Sequence, residues 1–229
     1  MGVAFLAYAF QAAALAFGSL LVVQPVLALS LMLTLLFSAR QEHRRMHPEE
    51  AFWGALLTIS VAGVVLLGRP LAGTREPLAW EWVIVVISAV AVVAGAFAFA
   101  YRRPTATQSL TYGISCGALF GYQALFSKVA VDDFVTGGIM GLLTSWQLWA
   151  MLLAATAGTI VQQYAFAAGN LGTSLPAAKV VEPIVAFALG IFLLGETFRV
   201  TSGAGWAATG ASISIMLISA AMLTRASVR

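Results

Sequence analysis

Long apolar stretches separated by short polar loops dominate the hydrophobic pattern of this chain. An apolar stretch of about 18 residues or more is long enough to cross roughly 30 Å of hydrocarbon as an α-helix. The uncharged run over residues 1–37 exceeds the length of one such helix, so we expect a turn at residues 17–19. The pattern predicts an all-α, polytopic transmembrane helix bundle of about eight spans, at residues 3–18, 20–38, 51–68, 82–101, 108–130, 144–168, 174–195 and 204–224.

The composition supports this prediction and narrows the function. Hydrophobic residues make up 61% of the chain and charged residues only 9%, whereas a soluble domain carries about 25% charged residues. Cys116 is the only cysteine, which excludes an intramolecular disulfide and a cysteine-rich metal site. His43 and His47 lie in a polar loop, where solvated side chains are the simpler explanation. We therefore expect no metal, no cofactor and no nucleic-acid partner, but a lipid bilayer around the helices.

The distribution of arginines predicts the orientation. With eight spans both termini share one side of the membrane, and that side receives the larger number of cations between and after the spans. This predicts a multi-pass protein of the cell membrane (plasma or inner membrane) with both termini in the cytoplasm. The cytoplasmic cations would be Arg40, Arg44, Arg45, Arg102, Arg103, Arg225 and Arg229, against Arg69, Arg75, Arg199 and Lys128 on the other side.

Two series of three spans resemble each other. In both, a short small-residue segment precedes a proline-containing helix and a glycine- and serine-containing helix, and Gln24-Pro25 aligns with Glu182-Pro183. The copies are five spans apart, an odd number, so they enter the membrane in opposite senses. Inverted repeats are typical of secondary transporters, which hold their substrate near the midplane. The copies read "QAAALAFG" (11–18), "VVQPVLALSLMLTLLFS" (22–38) and "WGALLTISVAGVVLL" (53–67), then "QQYAFAAG" (162–169), "VVEPIVAFALGIFLLGE" (180–196) and "GWAATGASISIMLIS" (205–219).

These segments, with "GALFGYQALFSKVAV" (117–131), resemble the drug/metabolite transporter superfamily, most closely its EamA-like and NIPA-like members. The resemblance implies a secondary transporter that moves a small metabolite or drug-like solute by alternating access, with proton coupling or facilitated exchange. The NIPA-like relatives imply an alternative, the transport of a divalent cation such as magnesium. The family pattern contains more spans than this chain shows, so we expect that the first helix of the pattern is absent.

The repeat divides the chain into three parts. Residues 1–69 form an N-terminal half-repeat with three spans, residues 70–104 a connecting span, and residues 105–229 a C-terminal half-repeat with four spans. A hypothesis from another class is a non-transporting membrane subunit that assembles with a partner subunit or as a homodimer. Motifs of nucleotide-binding loops, serine hydrolases and zinc peptidases are absent from the sequence, so an enzyme is not expected.

A charged pair beside a proline is the most informative feature of the seventh span. Proline removes its own N–H and clashes with the carbonyl four residues back. We therefore mark Pro25, Pro176 and Pro183 as helix-break positions whose freed carbonyls face a cavity or find protein partners. Lys179 and Glu182, at positions i and i+3, share a helix face and can pair. Glu182 is a candidate for proton transfer or for contact with a cationic solute, and the alternatives are a structural lock or a lysine that reaches the interface.

Other polar groups inside the spans are further candidates for the solute pathway. Because amides in a helix bundle often only bridge helices, a packing role is the alternative for each of them. Gln162 and Gln163 point about 100° apart on a helix, so at most one is expected to face a pore. Gly113, Gly117 and Gly121 form a G-x-x-x-G-x-x-x-G face for close helix packing. Glu196 is expected at the interface. The pathway candidates are Glu182, Lys179, Gln24, Gln123, Gln162, Gln163 and Tyr164.

Overall fold

The computed structural model describes residues 10–11, 13–41, 47–169 and 171–226. About 86% of it is helical, and it contains eight helices. Helix α1 covers the helical residues 10–11 and 13–17. The other helices are α2 (Leu20–Gln41), α3 (Pro48–Gly68), α4 (Ala79–Ala100), α5 (Thr105–Thr144), α6 (Trp146–Ala167), α7 (Leu171–Phe192) and α8 (Gly203–Ala226), and two short strands are β1 (Pro70–Leu71) and β2 (Thr197–Phe198).

Seven of these helices, α2 to α8, are long and apolar enough to cross a membrane. They match seven of the eight predicted spans, and the chain turns at Gly18 and Ser19, where the turn was expected. Half of the first predicted span, residues 3–18, lies outside the described residues, and the described half is α1 with the following Gly18. Arg44, Arg45, Arg229 and the loop histidine His43 also lie outside them.

Helix α5 is longer than its predicted span. It continues beyond residue 130, where no glycine or proline intervenes before the adjacent Gly137 and Gly138, and the i,i+4 ion pair of Lys128 and Asp132, at 2.9 Å, adds a small stabilisation. Gly138 has φ 61° and ψ −156°, a conformation that only glycine adopts readily, and it separates a last short turn from the main helix. The predicted loop between residues 130 and 144 is therefore mostly helical.

Helix α5 is the centre of the bundle. In its most apolar window 78% of the residues are buried, against 17% for α4, which packs mainly on α5. Helices α6 and α7 pack along α5, and α3 packs along α8. The exposed residues of α4 are apolar and include seven large side chains, as expected for a face that contacts lipid.

A small antiparallel ribbon, which the sequence did not predict, joins the loops after α3 and α7. Pro70 pairs with Phe198 and Leu71 with Thr197. We call this end of the bundle the ribbon end, and the opposite end, where α2 ends and α5 begins, the far end. Helices α2, α4, α6 and α8 run from the ribbon end to the far end, and α3, α5 and α7 run back.

The three glycines of the G-x-x-x-G-x-x-x-G motif lie where α5 meets α7. A Cβ atom on Gly113 would lie 2.6 Å from the carbonyl oxygen of Ser174. A Cβ atom on Gly117 would lie 2.9 Å from the Cα of Ala178, and one on Gly121 would lie 2.9 Å from the carbonyl oxygen of Glu182. The backbones of the two helices approach closely because the glycines carry no side chains.

The three prolines do not end helices. Pro25 lies inside α2, and Pro176 and Pro183 lie inside α7. The expectation that these prolines interrupt the helices is therefore wrong. Each proline removes only one backbone hydrogen bond, and the neighbouring hydrogen bonds hold the helix in place.

Candidate functional site

A cavity of about 350 Å³ lies among α1, α2, α5, α6 and α7. Polar and apolar side chains share its wall, and its volume is at the lower end of the range for small-molecule sites. Five of the seven sequence-predicted pathway residues line it. The lining residues are Gln11, Gln24, Leu27, Ala28, Ser30, Leu31, Phe120, Gln123, Gln162, Lys179, Glu182 and Pro183.

The ion pair on α7 is the charged group of this cavity. The Nζ atom of Lys179 donates a hydrogen bond to Oε2 of Glu182 at 3.1 Å, which confirms the pairing predicted from the i,i+3 spacing. The lysine side chain is 41% exposed and the glutamate side chain 21% exposed. Glu182 lies at the middle of α7, far from either end of the helix, so water or a solute must reach it through the cavity.

Four amide side chains surround the ion pair. Gln24 comes from the first turns of α2 and is almost fully buried, Gln123 comes from α5, and Gln162 from α6. Gln11, from α1, completes the group. Amides donate and accept hydrogen bonds without carrying charge. The described lining residues therefore offer several neutral hydrogen-bonding groups and, among them, two charges, those of the α7 pair.

The apolar part of the wall was missed by sequence reasoning, although a signal for it exists. Leu27, Ala28 and Leu31 follow Gln24 at i+3, i+4 and i+7, so they lie on the same face of α2. Phe120 precedes Gln123 by one turn of α5, and its ring packs on α6, where a Cβ on Gly158 would lie 3.0 Å from Cε1. Reading the helical period outward from each glutamine would have identified these residues.

Two predicted pathway residues do not reach the cavity. Gln163 is exposed on the outside of the bundle, because it points about 100° away from Gln162, which faces inward. Tyr164 packs against the rings of Phe97 and Tyr112, with centroid distances of 5.1 Å and 6.0 Å. These two residues are therefore removed from the set of cavity candidates.

Toward the ribbon end the cavity is closed by densely packed side chains. In this direction a cluster of buried apolar residues follows the cavity, and buried polar residues, among them Lys128 and Glu196, lie beside it. The apolar residues come from the α1–α2 turn, from α5, from the end of α7 and from the loop after it. The main members are Leu15, Leu20, Val23, Leu125, Ala186, Leu193 and Leu194.

Glu196, expected at the interface, is instead buried in the loop after α7, where it is 1% exposed. Its carboxylate accepts hydrogen bonds from the backbone N–H groups of Leu20 and Leu21, at 2.7 Å and 3.0 Å. Burial raises the pKa of Glu196, while these two N–H groups and nearby Lys128 act in the opposite direction and Asp132 adds to the rise. Only the fold reveals this contact, because 176 residues separate its partners.

No three histidine, cysteine, aspartate or glutamate side chains gather as potential metal ligands among the described residues. The cavity itself offers a single carboxylate, that of Glu182, and a lysine neutralises it. Hard divalent cations take six or more oxygen ligands, usually with several carboxylates among them. The donor set is therefore better suited to an organic solute than to a cation.

The seven apolar helices define the class of this chain, a multi-pass helical membrane protein. A comparison with curated proteins then gives its family. An uncharacterized protein of Corynebacterium glutamicum is 48% identical over 227 residues, which cover 99% of this chain and 78% of the relative. The chain belongs to the family of that protein. No family model matches the chain, and no solved structure matches it.

Proposed function

We propose that this protein is a secondary transporter of the drug/metabolite type, which moves a small polar solute by alternating access of two inverted halves. The observation that carries the proposal is the cavity in the middle of the bundle, with its four amides and one ion pair. Polar groups at membrane depth are expensive, and they are typical of solute pathways.

The sequence similarity between the two series of spans supports the proposal. Gln24 and Glu182 align when the two series of spans are compared, and both side chains line the same cavity. They belong to α2 and α7, the second elements of the two copies. The third elements, α3 and α8, pack along each other, and a Cβ on Gly63 would lie 3.1 Å from the Cβ of Ser212. The contact between α3 and α8 supports the proposal, because corresponding helices of two inverted halves are expected to meet across the bundle.

The charge balance of the cavity favours a solute without net charge. Lys179 and Glu182 neutralise each other, and the other polar side chains among the lining residues are neutral, namely four amides and the hydroxyl of Ser30. A solute with one net charge would leave one member of the pair unpaired in a site of low dielectric constant, which is unfavourable. A small metabolite or drug-like molecule whose own charges cancel fits the site better, and it also fits better than magnesium.

The location proposed for the protein is the cell membrane, with both termini in the cytoplasm. The far end of the bundle carries Arg40, Arg102, Arg103 and Arg225 among the described residues. In the sequence, Arg44 and Arg45 follow α2 and Arg229 follows α8. An excess of cations is typical of the cytoplasmic side. In this orientation the closed ribbon end faces outward.

The test is solute flux in liposomes that contain the purified protein. A panel of small labelled solutes, neutral, zwitterionic, cationic and anionic, and Mg²⁺ would be assayed with and without a pH gradient. We expect a net-neutral solute to be transported by the parent and much less by Glu182→Gln, whereas Glu76→Gln, an exposed loop position, serves as the matched control. Equal transport by Glu182→Gln at every pH would remove Glu182 from the mechanism. No transport of any probe by the parent would favour the non-transporting subunit.

A further inference from the structure

Two buried charges from the C-terminal half hold the turn between α1 and α2. Lys128 of α5 donates a hydrogen bond from Nζ to the backbone oxygen of Leu15, at 2.8 Å. Glu196 accepts the backbone N–H groups of Leu20 and Leu21 through Oε1 and Oε2, at 2.7 Å and 3.0 Å. Lys128 and Glu196 are 8% and 1% exposed. The turn belongs to the N-terminal half, so these contacts join the two halves.

Each charge lies at the helix end that it stabilises. The carbonyl end of α1 carries partial negative charge and meets a cation, and the N-terminus of α2 carries partial positive charge and meets an anion. Ser19 precedes α2 and is a residue type that commonly caps helices, yet its buried Oγ makes no hydrogen bond to any described residue. The capping contact therefore comes from the other half of the protein.

The surroundings leave room for this contact. A Cβ atom on Gly190 would lie 2.8 Å from Oε2 of Glu196 and 3.5 Å from the Cβ of Leu20, so a larger residue would displace the carboxylate. Gly195 has φ 70°, a conformation that favours glycine, and it turns the chain immediately before Glu196. Lys128 has a second partner in Asp132, at 2.9 Å.

The contact lies between the cavity and the ribbon end. Leu20 and Leu21 precede Gln24 by about one helical turn, and Gln24 is a lining residue of the cavity. The buried apolar residues that close the cavity in this direction include Leu20 and Leu194, the neighbours of the contact. The α1–α2 turn therefore lies on the route from the cavity to the ribbon end along α2.

We propose that Lys128 and Glu196 are the gate contacts of the ribbon end, and that the α1–α2 turn separates from both when the cavity opens to that side. This inference rests on the proposed alternating-access function. Lys128 and Glu196 act as positioning residues, because they hold the turn and do not touch the solute. A hydrogen bond to a charged group shifts an equilibrium between two conformations by roughly tenfold to a hundredfold.

The test measures access to the cavity from each side of the membrane and needs no knowledge of the solute. Cys116→Ala removes the only cysteine, and Gln24→Cys introduces a reporter at the cavity. A membrane-impermeant cationic methanethiosulfonate is applied to sealed vesicles of either orientation, and the labelling rate of the reporter is recorded. Glu196→Gln and Lys128→Met are then added separately to this background.

We expect each variant to raise the labelling rate about tenfold or more from the ribbon side only. The matched control is Glu81→Gln, because Glu81 also accepts a backbone N–H, from Leu78, and also pairs with a cation, Arg75, at the same end. The control should leave the rate unchanged because it does not touch the α1–α2 turn.

An unchanged rate in Glu196→Gln or in Lys128→Met would overturn the proposal, as would an equal rise in the control. Equal rises from both sides of the membrane would indicate loosening of the bundle and would also overturn it. If neither variant yields folded protein, the contact is a folding brace and the gate is refuted. Because no solute is involved, these outcomes are independent of the flux experiment, which tests the transport function itself.

Discussion

The glycine seam between α5 and α7 allows a quantitative prediction for Gly117→Ala. A Cβ atom at this position would lie 2.5 Å from the backbone oxygen and 2.9 Å from the Cα of Ala178. Real Cβ atoms essentially never approach within 3.0 Å of another heavy atom, so something must shift. The obstacle is backbone, and no side-chain rotation can relieve it. The two helices would have to separate by several tenths of an ångström.

The magnitude follows from overpacking and helix propensity. Extra atoms in a packed interface destabilise by about 1–3 kcal/mol. Alanine also favours the helix over glycine by up to about 1 kcal/mol, so the steric effect must be measured against a glycine in open space. Gly210 in α8 is such a control, because nothing lies within 4 Å of its would-be Cβ. For a chain of this size, 1 kcal/mol corresponds to about 2–4 °C in the unfolding midpoint.

The assay is thermal unfolding in detergent, followed by the loss of the monodisperse peak in size-exclusion chromatography. Gly117→Ala is expected to unfold about 2–12 °C below Gly210→Ala, and Gly210→Ala at or slightly above the parent. Equal midpoints for the two variants would show that α5 and α7 do not approach as closely as the structure indicates. Because α5 and α7 also carry Gln123 and Glu182, separating them should reduce solute flux as well.

Three further predictions concern single side chains. Gln162→Ala should reduce solute flux in liposomes severalfold or more, and Gln163→Ala should leave it near the parent value, since of these two residues Gln162 lines the cavity. Equal effects of the two variants would contradict the placement of Gln162 in the solute pathway. Lys179→Met should lower the unfolding midpoint because it leaves the carboxylate of Glu182 unpaired, and adding Glu182→Gln should largely restore the midpoint. A double-mutant cycle should give a coupling energy of about 1 kcal/mol for this partly exposed pair, and a coupling energy of zero would contradict the pairing. Glu196 has a raised pKa in the folded protein, so the folded state holds its proton at pH values where the unfolded state has lost it. The stability that Glu196 contributes is thus fully present below the ordinary carboxyl pKa of about 4.3 and is lost as the pH rises through the pKa of Glu196 in the folded protein. The unfolding midpoint of the parent, measured relative to that of Glu196→Gln, should therefore fall with rising pH.

Hydropathy predicted seven of the described helices because it depends on short stretches of sequence. The predicted helix ends were less accurate where a polar segment that leaves the membrane is still helical. Residues 131–137 include Asp132 and Asp133 and were expected in a loop, yet they are helical, and the pairing of Lys128 with Asp132 contributes to this helix. The two-residue strands at Pro70 and Thr197 carry no periodic signal, so the ribbon followed only from the packing of two distant loops.

The sequence by itself determined the membrane-spanning helices, the pairing of Lys179 with Glu182 and the spacing of the glycine seam. These features depend on residues within one or two helical turns of each other. Only the tertiary structure decided that Gln162 faces the cavity and Gln163 faces outward, and that Glu196 caps α2. Lipid and helix interfaces are both apolar, so hydropathy cannot distinguish the inward face of a spanning helix from its lipid face. That choice, and the contact across the halves, arises from how the helices pack.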